Sequence, residues 1–515
     1  MANTTFDEEY FSEEGVYVPK SYRFERDVDD VDQLDDDRLD VYEFDTDANQ
    51  HYLYTTMSDL LDNLDDLKKM IEDFTKNQRE RLQVLEDYSE GRNYAIRHGR
   101  RRQDKRKADY RIAHNWGGYL STFVTGFILG KPVTVEYSGD EGDLDSEELS
   151  NITDNNDLDS LNYELAYDAS RYGRGYELHW RGEDNLDYIT QVDPKSIFVI
   201  RSHLGKQPII GAVYLPTFMD KTYPTVYTDT EIITYKPYEG ADVILEEDHR
   251  TKHAYKIVPV VEWWNNRYRS GDWESETSTI DAYDAAQSDT ANYMSDLNDA
   301  TLVLKVDDMD SLGGKAGLRA MQDSNTFVLE NGADASGRQT QGSAEYIYKQ
   351  YDVDGTEAYK TRLLNDLFKL TKIPNLDDER FGTQSGISIK YKLIALQQLQ
   401  ATKENYYKKA LRRRYQLIEN VHESANDKPL KATLLDFTFH PNFPEDVWSE
   451  IEAYINAGGE LSQATLRELA SFTDNDTEEE RLEAERLSPN ATDAEKAFFS
   501  GKLGDDNLED HEPGA

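Results

Sequence analysis

Residues 374–393 read PNLDDERFGTQSGISIKYKL. Apolar residues recur at helical spacing on both sides of this stretch. Upstream they are Tyr359, Leu363, Leu367 and Leu370; downstream they are Leu393, Leu396, Leu411, Tyr415 and Ile418. Pro374 cannot continue a helix. Gly382, Thr383, Gln384, Ser385 and Gly386 then form a small, polar stretch with wide backbone freedom. The spacing therefore predicts a helix over 356–373, a loop, and a second helix from about Ile387 to Ala425. At 1.5 Å per residue the second helix spans roughly 55–60 Å, more than one domain needs, so it is expected to cross between domains.

Before the loop, STIDAYDAAQSDTANYMSDLNDA (278–300) reads as a matching helix. Ser278 with Asp281 fits a capping box, and Tyr283, Ala286, Thr290, Tyr293 and Leu297 fit a buried stripe. The two helices enclose a segment patterned differently, made of TLVLKV, the Gly-rich SLGGKAGL, TFVLENG and AEYIYKQY. It is expected to be a small α/β insertion over 301–350.

Further upstream, residues 55–90 read as helical, with Leu82, Leu85 and Tyr88 on one face and Gly91 as a stop. The segment LDSLNYELAYDASRYGRG predicts a helix ending at Gly173 and Gly175. YELHW, YITQV, SIFVI, IIGAVYL, TVYTD, EIITYKP and VILEE are short, alternating or β-branched, which predicts an antiparallel sheet. VDP (192–194) marks a turn, and PVVEWWNNRYRSGDW (259–273) is expected to leave the sheet. LKATLLDFTFHPNFPED (430–446) predicts a strand, and 447–472 a helical hairpin broken at Gly458 and Gly459. Residues 1–50 and 481–515 read as an acidic arm and an acidic tail. The fold class is α+β.

The chain has 515 residues, with 57 Lys and Arg against 102 Asp and Glu, and a net charge of -45. Such a surface repels phosphate and argues against a tight general grip on nucleic acid. The one dense basic run, RHGRRRQDKRKADYR (97–111), is a candidate nucleic-acid patch, but it lacks interleaved aromatics and reads more readily as a solvated loop offsetting nearby acids or as a site for the chain's own acidic arm. With no cysteine, disulfides, thiolate metal sites and thiol nucleophiles are excluded. The N-terminal MANTTFDEEYF shows no secretory signal pattern. The most apolar window has an uncharged core at 116–130, 15 residues long, where a membrane span needs about 20. A buried helix followed by a strand is expected there, and no membrane partner.

Enzyme motifs fail on their chemistry. GFILGK (126–131) is one residue short of a phosphate loop, and Pro132 stands where a hydroxyl must bind the metal. There is no GxSxG elbow or HExxH pair, and acid pairs such as Asp377/Asp378 or Asp474/Asp476 arise by chance among so many carboxylates. No catalytic residue, metal site or cofactor is expected.

Six segments, in order, resemble the portal (head–tail connector) proteins of tailed bacteriophages, closest to the group in long-tailed phages of Gram-positive hosts. They are RERLQVLEDYSEGRNYAI (79–96), HNWGGYLSTFVTGFILGKPVTVEY (114–137), LAYDASRYGRGYELHW (165–180) with VDPKSIFVI (192–200), IVPVVEWWNN (257–266), FGTQSGISIKYKL (381–393) and FHPNFPED (439–446). The resemblance covers roughly residues 75–470. The acidic arm, the basic run and the acidic tail depart from it.

The resemblance implies a homo-oligomeric ring of about twelve subunits at one capsid vertex, through which double-stranded viral DNA is packaged and ejected. Its implied parts are a wing over 51–275, a stem helix over 276–300, a clip over 301–350, a second stem helix over 351–373, a tunnel loop over 374–386, a long wing helix over 387–428 and a crown over 429–480. Implied partners are the terminase large subunit, head-completion or adaptor proteins, and the major capsid and scaffolding proteins; the implied location is the virion, with assembly in the host cytoplasm. DNA-facing candidates are Arg380, Gly382, Thr383, Gln384, Ser385, Gly386, Lys390 and Lys392 at the loop, and Lys305, Lys315 and Arg319 near the clip. Alternatives are a structural virion or adaptor protein without a DNA channel, and a carboxylate-based nuclease.

Overall fold

In the computed structural model, the residues described are 49, 51–97, 109–138, 146–240, 242–296, 301–306, 326–330, 344–347, 352–375, 393–425 and 428–442. All fall within one compact unit that ends at Asn442. Residues 1–48 of the expected arm, 307–325 of the expected clip, 376–386 of the expected tunnel loop, the following 387–392 and the expected hairpin 447–472 lie outside the described residues.

The first strand, β1 (Tyr52–Tyr54), leads into helices α1 (Met57–Asp62), α2 (Leu64–Asp73) and α3 (Arg79–Ser89). Thr56 caps α1 by accepting from the Asp59 amide. A π-turn over Phe74–Gln78 joins α2 to α3. Leu82, Leu85 and Tyr88 are buried as their spacing predicts. Gly91 turns the chain at φ 70°, a left-handed conformation that favours glycine.

After the short α4 (Tyr94–Arg97), α5 (Trp116–Leu129) is the apolar helix expected at 116–130. Asn115 caps it through the Gly118 amide. The glycines of GFILGK thus sit in and at the end of a helix, not in a loop ahead of one. The strand that follows is β2 (Thr134–Tyr137). Among the described residues no helix is long and apolar enough to cross a membrane.

Helix α6 (Ser146–Asn155) precedes α7 (Leu158–Tyr172), which stops at Gly173 with φ 87°. A Cβ there would meet the Arg269 carbonyl oxygen at 2.0 Å, so only glycine fits. Gly175 is not a second helix stop. It lies inside β3 (Arg174–Arg181), where a Cβ would press on the Leu165 carbonyl oxygen at 2.6 Å.

The strands that follow are β4 (Asp187–Val192), β5 (Ile197–Ser202), β6 (Ile209–Tyr214), β7 (Thr217–Phe218), β8 (Lys221–Thr222), β9 (Thr225–Tyr227), β10 (Glu231–Tyr235), β11 (Tyr238–Glu239), β12 (Glu247–Lys252) and β13 (Val260–Trp264). Asp193 caps the turn predicted at VDP. One sheet has the order β1-β5-β6-β9-β10-β12, antiparallel apart from the parallel pair β1–β5. Strand alternation splits β5 between two cores. Phe198 and Ile200 pack with Leu67, Ile71 and Phe74 of the helical layer. Ile197 and Val199 pack with Tyr176, Val192 and Val260 of a second sheet, β13-β3-β4.

Two expectations fail. VILEE (243–247) is not a strand: Val243 enters the α2-side core from a loop, and β12 starts only at Glu247. PVVEWW does not leave the sheet: Val260–Trp264 pairs antiparallel with β3. Its two tryptophans read as a break because they answer to a helix packed above the strand.

The remaining elements are α8 (Thr277–Asp296), strands β14 (Thr301–Val306), β15 (Thr326–Glu330) and β16 (Ala344–Ile347), α9 (Val353–Leu370), α10 (Ile394–Ala425) and β17 (Leu435–Thr438). Strand β14 is central, parallel to β15 and antiparallel to β16. Helix α10 has 32 residues, about 48 Å at 1.5 Å each. Its predicted stripe Leu396, Leu411, Tyr415 and Ile418 is buried. Strand β17 returns to pair with β2.

Helix α10 is fixed to the sheets by buried charge. Arg414 donates from Nε at 3.1 Å and Nη2 at 2.5 Å to Glu177 of β3, and from Nη1 at 2.7 Å to Asn162 of α7. Trp263 Nε1 also donates to Glu177, at 3.2 Å. Burial alone would raise the Glu177 pKa, but Arg414 and His179 hold it down at about 2. Removing one partner leaves an uncompensated buried charge. Arg414→Ala is therefore expected to lose about 3–5 kcal/mol in denaturant unfolding. The double variant Glu177→Leu with Arg414→Met should lose markedly less, and equal losses would contradict this account.

Candidate functional site

The segment between α9 and α10, expected to be a loop, is framed by two anchored ends. Helix α9 stops in a Schellman arrangement. Lys372 takes φ 63°, its amide donates to Lys369, and the Ile373 amide donates to Phe368 at 3.1 Å. Ile373 is buried. On the far side Leu393 is buried too, and its carbonyl accepts from Gln397 as α10 begins. The sequence places this stop near Pro374, but the turn is already complete before it.

The candidates Arg380, Gly382, Thr383, Gln384, Ser385, Gly386, Lys390 and Lys392 lie outside the described residues, as do Lys315 and Arg319. Lys305 lies on β14, in register with Leu329 of β15. The described structure therefore shows the frame that carries these residues and does not bring them together.

Helices α8 and α9 pack against one another. Lys360 Nζ of α9 donates to Gln287 of α8 at 2.9 Å. Trp116 of α5 sits edge-on to Tyr283 of α8 and Phe368 of α9, at 5.8 and 5.9 Å. This aromatic corner ties both helices to the apolar helix behind them.

The face by which α8 is held differs from the predicted stripe. Ser278 is not an N-cap: a 3₁₀ turn over Glu274–Glu276 runs directly into the helix at Thr277. Asp281 instead accepts from the Tyr88 hydroxyl at 2.7 and 2.8 Å. Tyr283 is buried, while Ala286, Thr290 and Tyr293 are only partly so, and Leu297 lies outside the described residues.

Besides Thr277, Ile280 and Tyr283, the buried positions are Asp284, Ser288 and Asn292, one turn apart. They accept from alternate amides of an extended segment: Asp284 from His114 at 3.1 Å, Ser288 from Ile112 at 2.9 Å and Asn292 from Tyr110 at 2.7 Å. Four helical residues rise about 6.0 Å and two extended residues about 6.6 Å, so the two periods stay in step over three contacts. Sequence reasoning missed this ladder. Its signal was a polar residue every fourth position, which reads as solvated surface unless a strand is known to lie alongside.

Asp284 also accepts from Asn93 at 2.5 Å and meets His114 Nδ1 at 2.7 Å. The basic run ends beside this ladder. Arg111 donates to the Arg97 carbonyl at 2.5 Å and pairs with Asp109, and Arg97 donates to the Gly91 carbonyl. Residues 98–108 lie outside the described residues.

Of the stripe predicted on α9, Leu367 is buried but Tyr359 and Leu370 are 49% and 58% exposed. The face turned toward α8 and α5 is Lys360, Leu367 and Phe368. Val353, Tyr359 and Leu370 give α9 an open apolar surface. Among the described residues no cluster of His, Asp and Glu could hold a metal ion.

Burial pushes the Asp281 pKa up to about 7, with the Asp284 charge adding and the Tyr88 hydroxyl opposing. A carboxyl raised above its unfolded value of 3.8 contributes most when protonated. Its contribution is complete below that value and lost as pH rises through about 7. Asp281→Asn should therefore leave the melting temperature unchanged near pH 4 and raise it at pH 8. An equal shift at both values would refute this assignment.

A family model described as "Phage portal protein, SPP1 Gp6-like" matches residues 67–488. The portal protein of Bacillus phage SPP1 is 24% identical over 447 residues, covering 82% of this chain and 85% of that protein. Among solved structures, the neck of a native gene transfer agent particle matches 69% of this chain and 89% of its own at 13% identity, with a TM-score of 0.38. An HK97-family phage portal protein from Corynebacterium diphtheriae matches 63% and 91% at 9% identity, with a TM-score of 0.31.

Proposed function

Because the chain belongs to the SPP1 Gp6-like family of phage portal proteins, we propose that about twelve copies close into a ring at one capsid vertex and conduct double-stranded DNA inward during packaging and outward at ejection. The observation that carries this reading is the family match, whose bounds 67–488 take in both paired helices, the strand insertion, the expected loop and the long helix. As a portal protein the chain is a structural component of the virion.

In this reading α8 and α9 are the stem, the sheet β15-β14-β16 belongs to the clip, and α10 is the spanning helix of the wing. The open apolar side chains Val353, Tyr359 and Leu370 would pack between neighbouring stems, while the polar ladder fixes each stem to its own wing. The net charge of -45 per chain lines the ring with like sign, so a duplex slides without adhering. Arg380, Lys390 and Lys392 at the loop, and Lys305, Lys315 and Arg319 at the clip, are the cations proposed to steady the phosphates. The terminase large subunit would dock during filling, and head-completion or adaptor proteins afterwards. Capsid and scaffolding proteins would surround the ring as it assembles in the host cytoplasm.

Negative-stain microscopy of the purified chain should show rings with an axial channel; a protein that stays monomeric at high concentration would count against the reading. Gly382→Val combined with Gly386→Val should leave those rings intact while DNA packaging falls at least tenfold, since both changes restrict the loop backbone. Normal packaging by that variant would show that the loop need not move.

A further inference from the structure

Between the far end of β3, the turn after β12 and the last turn of α10 lies a cavity of about 580 Å³, within the range of about 300–1,000 Å³ used by ligand sites. Its walls include Leu178, Trp180, Arg181, Lys252, Tyr255 and Val421. Tyr255 is only 5% exposed, yet its hydroxyl has no hydrogen-bond partner among the described residues. Burial holds that phenol protonated, so what the cavity lacks is an acceptor. His253 does not supply one. Its Nδ1 accepts from the Tyr255 amide and its Nε2 faces the Thr228 carbonyl.

Two further features define the missing group. None of the lining residues is a carboxylate, and the nearby Asp187, whose charge reaches Tyr255, is already paired with Arg181 and His422. Lys252 is exposed with no ion-pair partner among the described residues, and Arg181, paired with Asp187 at 3.0 Å, also lines the cavity. At the rim, Trp180 is 47% exposed and stacked on Tyr188 at 4.4 Å, an open aromatic platform. The site thus offers an O–H donor, positive charge and aromatic surface, and fits an anionic acceptor next to an aromatic ring.

The chain itself carries that chemistry. Residues 1–48 hold 17 acids against 4 basic residues, with 8 aromatics among them, most densely as FDEEYF at 6–11. The described chain starts at Asn49, whose side chain donates to the Tyr268 carbonyl at 2.9 Å and accepts from Arg174 at the near end of β3. The cavity lies one strand length away, about 23 Å along β3, well within the reach of the residues between 11 and 49. Tethering raises the effective concentration to about millimolar, which suits a modest local affinity.

We propose that this cavity is the docking site for the chain's own segment 6–11, from the same copy or a neighbouring one. An aromatic ring enters beside Trp180, and a carboxylate accepts from the Tyr255 hydroxyl while facing Lys252.

Hydrogen–deuterium exchange on the full chain tests it. The amides of 6–11 and of Ala254–Tyr255 should both be protected. Tyr255→Phe should cut the protection of 6–11 about tenfold, the loss of one hydrogen bond to a charged acceptor. Lys252→Glu should abolish it, and Phe6→Ala with Tyr10→Ala and Phe11→Ala should expose 254–255. Exchange of 6–11 at the unstructured rate, or protection that neither cavity variant changes, would overturn the proposal. Protection of 254–255 that appears only when a second acidic protein is added would assign the site to a foreign partner and overturn it equally. None of these outcomes depends on DNA passage.

Discussion

A guanidinium and a carboxylate, both withdrawn from water, decide where the longest helix sits. Arg414 can satisfy Glu177, and Glu177 can stay charged, at only one height of α10 on the sheet. A buried pair of this kind contributes more to register than to net stability, because desolvation offsets most of the attraction. Lys403 repeats the device three turns earlier: it reaches Asp272 at 2.7 Å and also bonds Asn265. Between the two, Arg413 donates to the carbonyls of Val260 and Val258 in and beside β13. Sliding α10 by one turn would strand two buried cations and two buried acids together. Apolar packing alone, from Tyr407 on Trp263 at 5.2 Å, would not penalise such a slip so sharply.

That register reaches the loop. Helix α10 begins directly after Leu393, so fixing the helix fixes the loop's far end. The near end is fixed by Ile373, through the α9 stop and the aromatic corner of Trp116, Tyr283 and Phe368. The ladder from Asp284, Ser288 and Asn292 adds a polar tether that spends the inward face of α8 on backbone amides. Tyr359 and Leu370 of α9 are left exposed beside its packed face. A helix pair attached inward by hydrogen bonds and open outward through Tyr359 and Leu370 is ready for contacts between copies, whereas one buried on all sides would not be.

What could be read from the sequence follows from how local each signal is. The stripe Leu396–Leu411–Tyr415–Ile418 is a property of one helix, and it was legible. So were the stop at Gly173 and most strands of the large sheet. Strand β13 was not: Trp263 and Trp264 are sized for α10, which lies more than a hundred residues further on. The ladder on α8 was hidden for the same reason, since Asp284, Ser288 and Asn292 make sense only against a strand from another part of the chain. The two readings that named a capping box and an α9 stripe failed because local pattern was taken as the whole environment. The family was legible because six motifs kept their order. The individual DNA-facing residues were not, since a cation in a chain this acidic has many possible carboxylate neighbours.

The carboxylates of the frame divide by their surroundings, and the division bears on where the molecule can yield. Glu177 is surrounded by donors. So is Glu262, which Arg201, Arg269 and Arg174 hold down at about 2 against the effect of burial. Both stay charged at any pH a cell reaches, so the Arg414–Glu177 contact of α10 does not respond to acidity. His422 near the end of α10 does: burial would lower its pKa, but the hydrogen bond to Asp187 of β4 outweighs burial and raises it. Asp281 has only the Tyr88 hydroxyl and a second acid one turn away, and it titrates near neutrality. A further protonation-sensitive point therefore falls at the foot of α8, where the helix pair joins the body, away from the Arg414–Glu177 contact that sets the register. A hinge at that position would let the paired helices adjust as a unit while both ends of the loop stay anchored by Ile373 and Leu393.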